Sequence, residues 1–227
     1  MKRAILSWSS GKDSAFALHQ ILQEGSFEIV SLLTTVTDSF QRVSMHGVRE
    51  ELLDLQAKAV RLPLEKIRIP SPCPNEIYEQ KMLESLLVWK QRGVECVIFG
   101  DLFLEDIKKY REKNLATVGM RGAFPLWMRN TKELAEQMIA EGFEAVLTCV
   151  DPKQIAKNFS GRRFDHKLLA DLPASCDPCG ENGEFHSFVW NGPIFTQPIF
   201  VQAGATVERD GFVFTDLVKL KSPCQKG

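Results

Sequence analysis

A short polar loop, Ser9-Ser10-Gly11-Lys12-Asp13-Ser14, contains the residues whose types and spacing are best suited to chemistry. It follows a short apolar run and precedes an amphipathic stretch, so we expect it to join a β-strand to an α-helix. Backbone N–H groups and the positive end of the helix dipole would then face an incoming anion. Gly11 permits close approach of the backbone, Lys12 adds a point charge, and the serine hydroxyls donate hydrogen bonds. The loop predicts a phosphate-binding site, with an ordinary polar turn as the plainer alternative.

The spacing within the loop excludes a Walker A motif, because Leu6 stands where that motif needs a glycine and Asp13 follows the lysine. The loop instead resembles the PP-loop of the N-type ATP pyrophosphatases, whose pattern Ser-Gly-Gly-Lys-Asp-Ser differs here only at Ser10. The resemblance implies that ATP is cleaved between its α- and β-phosphates, leaving an adenylated substrate and pyrophosphate. Asp13 either lies in the first turn of the helix or helps to hold Mg²⁺ beside the pyrophosphate.

Further motifs make most of the chain similar to the diphthine–ammonia ligase family. They are Ser44-Met45-His46-Gly47, Gly100-Asp101, Arg111-Glu112, Pro125-Leu126-Trp127 and Gly180-Glu181-Asn182-Gly183-Glu184-Phe185-His186. The resemblance implies a first domain that binds ATP, with the later motifs on the substrate side of the same cleft. We expect Met45 and His46 beside the nucleotide and Gly100-Asp101 at the ligand edge of the sheet, where Asp101 contacts a substrate amine or a metal. His46 could equally lie at a helix entry, and the Pro-Leu-Trp motif could be a hinge.

Two carboxylates, Glu181 and Glu184, lie in a glycine-rich stretch that favours close backbone approach to a ligand over burial in a core. Such a pair could bind a cationic group, position ammonia or take its proton. The plainer alternative is a solvated acidic loop.

Departures from the family leave the acceptor open. Where the diphthine ligases carry Tyr-Gln-Arg after the fourth strand, this chain has Asp106-Ile107-Lys108, and Cys176-Asp177-Pro178-Cys179 is typical of a divergent, bacterial-type branch. We therefore expect an ATP-dependent ligase that joins ammonia to a carboxylate carried by a small molecule or a protein.

Two other functions compete with this one. Cys176 and Cys179 could deliver sulfur to tRNA after adenylation, as other PP-loop enzymes do, or the protein could be a nucleotide sensor without chemistry. As a metal motif the pair is weak, because the remaining ligand candidates, His166, His186 and Cys224, form no second tight pair.

Alternating short apolar runs and amphipathic stretches predict a doubly wound parallel α/β fold of the Rossmann-like HUP class, followed by a smaller α+β domain. We assign residues 1–128 to an ATP-binding domain and residues 129–227 to a substrate-binding domain. Predicted strands cover residues 3–8, 28–36, 67–69, 94–99 and 144–150, and a short fifth parallel strand begins at residue 122 and stops at Pro125. Predicted helices cover 13–24, 48–60, 75–92, 107–115 and 131–141. The segment 188–220 predicts antiparallel strands with turns at Asn191-Gly192 and Asp210-Gly211.

The composition fits an ordinary globular protein, with 227 residues, 44% hydrophobic and 25% charged. The formal net charge of −1 argues against a nucleic-acid partner. An export signal is not visible, so we expect a cytoplasmic protein with free thiols and no membrane partner. The sequence leaves the acceptor, the ammonia source and homo-oligomer formation open.

Overall fold

A computed structural model of the protein describes residues 1–38 and 41–220. Cys224, one of the cysteines considered above as a metal ligand, lies outside the described residues.

The first sheet has a Rossmann-type strand order. Its strands are β1 (Lys2–Ser7), β2 (Phe27–Thr37), β3 (Arg42–Val43), β4 (Leu64–Ile69), β5 (Cys96–Ile98) and β6 (Arg121–Ala123). Five of them are parallel in the order β4, β2, β1, β5, β6, while β3 folds back antiparallel onto the end of β2. The strand order reverses between β1 and β5, and open α/β sheets bind ligands at such a switch point.

Helices cover both faces of this sheet, as the doubly wound prediction requires. They are α1 (Lys12–Glu24), α2 (Glu50–Val60), α3 (Asn75–Gln91) and α4 (Glu105–Thr117). On β1, Leu6 packs into the core that contains α1, whereas Ile5 packs into the opposite core with Trp89 of α3. This alternation follows from the two-residue period of a strand and confirms the predicted fold class.

The second sheet is antiparallel. It contains β7 (Glu144–Val150), β8 (Arg163–Phe164), β9 (Phe185–Asn191), β10 (Val201–Arg209) and β11 (Phe212–Lys219), and the helices α5 (Thr131–Ala140) and α6 (His166–Asp171) accompany it. The strands pair in the order β10, β11, β7, β8, with β9 also paired to β7. The predicted turn at Asp210-Gly211 is confirmed, since both residues have positive φ between β10 and β11.

Two further local predictions are confirmed. The fifth parallel strand is short and ends at Ala123, before Pro125, and residues 124–127 form a turn in which the N–H of Trp127 donates to the carbonyl of Phe124. A turn also follows Asn191, where the N–H of Phe195 donates to the Gly192 carbonyl at 3.0 Å. It does not close a hairpin, since β9 pairs with β7 and β10 pairs with β11.

A buried glutamine joins the two sheets. Gln56 of α2 donates from Nε2 to the carbonyls of Ser10 (3.0 Å) and Val189 (2.7 Å), and its Oε1 accepts from Trp8 Nε1 at 2.9 Å. Nearby, Arg42 and Arg49 both pair with Asp216 of β11, at 2.8 and 2.5 Å. One hydrophobic core therefore runs across both sheets, and the boundary after residue 128 stays a prediction.

Among the described residues, none of the helices combines the length and apolar character that a transmembrane span requires.

Candidate functional site

A polar cavity of about 220 Å³ lies at the switch point between the ends of β1 and β5, and we call it the loop cavity. We call the predicted phosphate-binding loop, residues 9–14, the phosphate loop. The lining residues of the cavity come mainly from this loop, the end of β5, helix α4, and β9 with the loop before it: Ser7, Ser9, Lys12, Asp13, Ser14, His46, Phe99, Gly100, Asp101, Arg111, Gly180, Glu181, Phe185, His186 and Ser187. Most of the predicted site residues therefore meet in one place.

The phosphate loop is held in shape by its own hydroxyl groups. Ser14 Oγ donates to the Gly11 carbonyl at 3.0 Å and lies 3.1 Å from Ser9 Oγ. A Cβ atom on Gly11 would come within 3.1 Å of the His46 ring and 3.2 Å of the Ser187 carbonyl, so a side chain there would be tightly packed against both. Ser10 is buried with φ of 70°, and it does not line the cavity.

Lys12 is buried at the start of α1, with 1% of its surface exposed. Its Nζ lies 2.8 Å and 2.9 Å from the two carboxylate oxygens of Asp13 and donates to the carbonyl of Cys179. The backbone N–H of Lys12 donates to Ser187 Oγ at 3.2 Å. Burial lowers the pKa of Lys12, but attraction to the Asp13 carboxylate raises it by more. The pKa of Lys12 is therefore raised overall, and the ammonium stays protonated.

Gly100 brings the end of β5 against the start of α1. A Cβ atom there would lie 2.7 Å from the carbonyl carbon of Asp13 and 2.9 Å from the backbone nitrogen of Ser14. Gly100 therefore allows two backbone segments to pack closely beside the cavity.

Asp101 forms a bidentate ion pair with Arg111 of α4. Arg111 Nε donates to Oδ2 at 2.6 Å and Nη2 donates to Oδ1 at 3.1 Å, while the guanidinium lies 4.4 Å from the centre of the Phe99 ring. Both oxygens of Asp101 are therefore engaged by a protein cation.

Glu181 reaches the same cavity from the loop that precedes β9. Its Oε1 accepts from the backbone N–H groups of Leu102 (2.8 Å) and Phe103 (3.4 Å). Burial raises the pKa of Glu181 to about 7, and the charges of Asp13 and Asp101 add to the rise. A carboxyl group that is near half ionised at neutral pH is suited to accept or donate a proton.

Glu184 does not line the cavity, although it lies only three residues further on. Its side chain is 1% exposed and its Oε1 accepts from the N–H of Asp177 (2.8 Å) and from Asn182 Nδ2 (3.2 Å). Asp177 Oδ2 in turn accepts from the N–H groups of Cys179 and Glu181. Glu184 thus shapes the loop that carries Glu181 and the carbonyl that binds Lys12.

Two histidine rings face each other at the side of the cavity. The centroids of the His46 and His186 rings are 4.5 Å apart. His46 Nδ1 lies 3.2 Å from the Ser187 carbonyl oxygen, to which it donates when Nδ1 carries the proton. Burial and the neighbouring His186 hold the pKa of His46 well below its ordinary value, and burial with the Lys12 charge lowers that of His186 to about 4. Both rings are neutral at physiological pH.

A second, more apolar cavity of about 340 Å³ adjoins the first at the ends of β1 and β2, and we call it the strand-end cavity. Its lining includes Leu33, Thr34, Tyr78 and Met82. Met45 also lines it, with 60% of its surface exposed and φ of 64°. Cavities of this size and polarity are suited to a planar apolar group.

The thiols of Cys176 and Cys179 are buried and line neither cavity. Burial raises the pKa of Cys176 to about 12 and that of Cys179 further, and Cys179 Sγ donates to the Thr131 carbonyl at 3.3 Å. Such thiols are poor nucleophiles, since the thiolate is the reactive form.

A protein-held Mg²⁺ site fits poorly. Within residues 1–38 and 41–220, no group of three or more His, Cys, Asp or Glu side chains could hold a metal ion, and both Asp13 oxygens engage Lys12. A Mg²⁺ ion at this site would take most of its ligands from phosphate oxygens and water.

Three residues that the sequence did not single out as site residues contribute directly. Ser187 accepts a hydrogen bond at the start of α1, Gln56 holds the Ser10 carbonyl, and Arg111 faces both cavities. Arg111 stood within a recognised motif, and its partner Asp101 ten residues earlier could have indicated the pair.

The Rossmann-type strand order and the phosphate loop at the switch point define a nucleotide-binding protein of the PP-loop class. Sequence profiles of the diphthamide synthase N-terminal and C-terminal domains match residues 1–122 and 130–221. The chain therefore belongs to the diphthamide synthase family.

Curated relatives agree with this placement. The diphthine–ammonia ligase of Rattus norvegicus is 26% identical over 236 residues, which cover 94% of this chain and 88% of the relative. That of Homo sapiens is 25% identical, over 94% of this chain and 88% of the relative. That of Danio rerio is 27% identical, over 88% of this chain and 86% of the relative. These relationships support an ATP-dependent, amide-forming ligase.

Proposed function

We propose that the chain is an AMP-forming ligase that adenylates a substrate carboxylate and then converts it to an amide with ammonia. In the first step a carboxylate oxygen attacks the α-phosphorus, and the bond to the β-phosphate breaks with its electron pair leaving on pyrophosphate. In the second step ammonia attacks the acyl carbon, AMP departs and the nitrogen loses a proton. Adenylation is needed because a carboxylate oxygen is a poor leaving group, whereas AMP is a stable one.

The observation that carries the proposal is the position of the phosphate loop. Its helix N-terminus, its hydroxyl groups and the buried ammonium of Lys12 all border one polar cavity at the switch point. We assign the triphosphate to this loop cavity, because the helix end and Lys12 stabilise the charge that develops on departing pyrophosphate. The nucleoside then lies in the adjoining strand-end cavity.

Within this arrangement Glu181 takes the proton that the attacking nitrogen loses. Its pKa of about 7 leaves a substantial ionised fraction at neutral pH, and it borders the loop cavity from the loop that precedes β9. Glu184 acts indirectly by holding the loop, and Mg²⁺ accompanies the triphosphate. We assign nucleotide binding to residues 1–128 and acceptor binding to residues 129–227.

The name of the relatives makes diphthine one acceptor to test. Because this chain has Asp106-Ile107-Lys108 where the diphthine ligases carry Tyr-Gln-Arg, other carboxylates should be tested as well. Purified protein is incubated with ATP, Mg²⁺, ¹⁵N-ammonium and either diphthine-bearing protein or a fraction of small organic acids. We expect an amide that contains ¹⁵N, formed together with AMP. ATP that stays intact with every acceptor would instead favour a nucleotide sensor.

A charge variant of the loop tests the role of Lys12. Lys12→Gln removes the ammonium but keeps a hydrogen-bond donor for the Cys179 carbonyl, so we expect a folded protein with at least about a hundredfold lower turnover. Turnover at the wild-type rate would contradict the role of the loop.

A further inference from the structure

Two neighbouring cavities share a small set of lining residues. The loop cavity and the strand-end cavity have these in common: Ser7, Ser9, His46, Arg111 and His186. The shared residues surround the passage from one cavity to the other. In the proposed function the triphosphate occupies one cavity and the nucleoside the other, so the phosphate that joins them, the α-phosphate, lies in this passage.

Only one of these shared side chains is a fixed cation. The pKa values of His46 and His186 are lowered, which leaves both rings neutral, and the remaining two side chains are serines. A guanidinium stays protonated in proteins and matches the geometry of phosphate oxygens. Arg111 is therefore the positive charge available at the passage.

The contacts of Arg111 leave part of its guanidinium open. Asp101 accepts from Nε and Nη2, and the ring of Phe99 lies against the guanidinium. No residue in the described part of the chain accepts a hydrogen bond from Nη1. This side-on pairing fixes the orientation of the guanidinium and leaves the Nη1 hydrogens for an anionic oxygen.

We propose that Arg111 binds the α-phosphate of the nucleotide through Nη1, and that Asp101 positions Arg111 and does not itself contact substrate. This inference rests on the proposed function, because it uses the placement of the triphosphate and the nucleoside given there. The same contact neutralises negative charge on the α-phosphate oxygens while the carboxylate attacks the phosphorus. After pyrophosphate leaves, it holds the adenylate while ammonia attacks the acyl carbon.

Binding of adenosine and of AMP to the 227-residue chain tests the proposal, because the two ligands differ only in the α-phosphate. Isothermal titration calorimetry gives the ratio of the two dissociation constants for the wild type and for Arg111→Met. We expect the preference for AMP over adenosine to fall at least about tenfold in the variant, with adenosine affinity unchanged. A preference equal to that of the wild type, with intact adenosine binding, would overturn the proposal.

Further variants separate positioning from folding. Arg111→Lys keeps the charge but loses the paired geometry, so its preference for AMP should fall between those of the wild type and Arg111→Met. Asp101→Asn should lower the preference for AMP without lowering the affinity for adenosine. An equal loss of affinity for both ligands would contradict a positioning role. The exposed Arg121, changed to Met, is the control and should keep the wild-type ratio. If the wild-type protein binds no ATP at all, the proposed function fails and not merely the role of Arg111.

Discussion

The ammonium group of Lys12 donates a hydrogen bond to the backbone carbonyl of Cys179, and this contact joins the phosphate loop to the segment before β9. The Cys-x-x-Cys segment thus contributes a carbonyl oxygen to the site, while its two thiols are buried away from both cavities. Its residues support the loop and give no sign of sulfur chemistry.

We therefore expect Cys176→Ala and Cys179→Ala to retain turnover within about threefold of the wild type, because alanine keeps the backbone carbonyl. Each variant should lose about 1 kcal/mol of stability, as expected for a small buried truncation. The measurement is the rate of AMP formation at saturating ATP. Complete loss of activity in a folded variant that still binds ATP would favour tRNA thiolation.

The stability of the free protein should depend on the ionisation of Glu181. Its folded-state pKa of about 7 lies above the ordinary value of 4.5, so the folded state binds this proton more tightly than the unfolded state does. The stabilisation is complete below pH 4.5 and is lost as pH rises through 7. Glu181→Gln should thus gain stability relative to the wild type between pH 5 and pH 8, measured by urea unfolding.

The exposed Glu76, changed to Gln, is the matched control for that experiment, and its stability difference from the wild type should not vary over this range. A Glu181→Gln difference that is equally constant would show that the carboxyl group is not buried against other acids as described. Turnover of the wild type should rise with pH through about 7, since the ionised form takes the proton.

Gly100→Ala should damage the site by pushing β5 away from α1. The added methyl group would lie within 2.9 Å of three backbone atoms of Asp13 and Ser14, and we expect a loss of about 1–3 kcal/mol together with weaker ATP binding. Gly25→Ala is the control: φ is 63° at this helix end, which costs about 1–2 kcal/mol, yet nothing lies within 4 Å. Equal ATP affinities in the two variants, measured by calorimetry, would contradict this role of Gly100.

Ser10→Gly should stabilise the protein by about 1 kcal/mol, because Ser10 adopts φ of 70° and glycine has no strain there. The buried Ser10 hydroxyl also has no hydrogen-bond partner among residues 1–38 and 41–220. Ser10→Ala removes the hydroxyl but keeps the strain, so its melting temperature should lie below that of Ser10→Gly. The reverse order would show that the strain is not significant.

Much of the fold could be predicted because local patterns and tertiary packing agree. The apolar run at residues 3–8 and the amphipathic pattern at residues 13–24 predict β1 and α1. Gly25 ends α1 in the left-handed conformation that favours glycine. The short pairings of β3 and β8 have too few residues to give a pattern. The fifth parallel strand could be predicted to be short because a proline follows it, and β6 ends at Ala123, two residues before Pro125.

The site was predicted less completely, because it depends on side-chain direction. Glu181 and Glu184 look equivalent in sequence, yet only Glu181 lines the cavity. Gly180 before Glu181 and Gly183 before Glu184 both have positive φ and turn the loop. Asp101 was expected to contact substrate or metal, and its engagement by Arg111 depends on how α4 packs beside β5.

The position at which ATP is cleaved distinguishes adenylation from transfer of the γ-phosphate. ATP labelled with ³²P at the α- or the γ-phosphate is turned over in the presence of ammonium and an accepted carboxylate, and the products are separated by chromatography. We expect the α-label in AMP and the γ-label in pyrophosphate, in equal amounts. Label in ADP and orthophosphate, in the absence of a pyrophosphatase, would contradict adenylation.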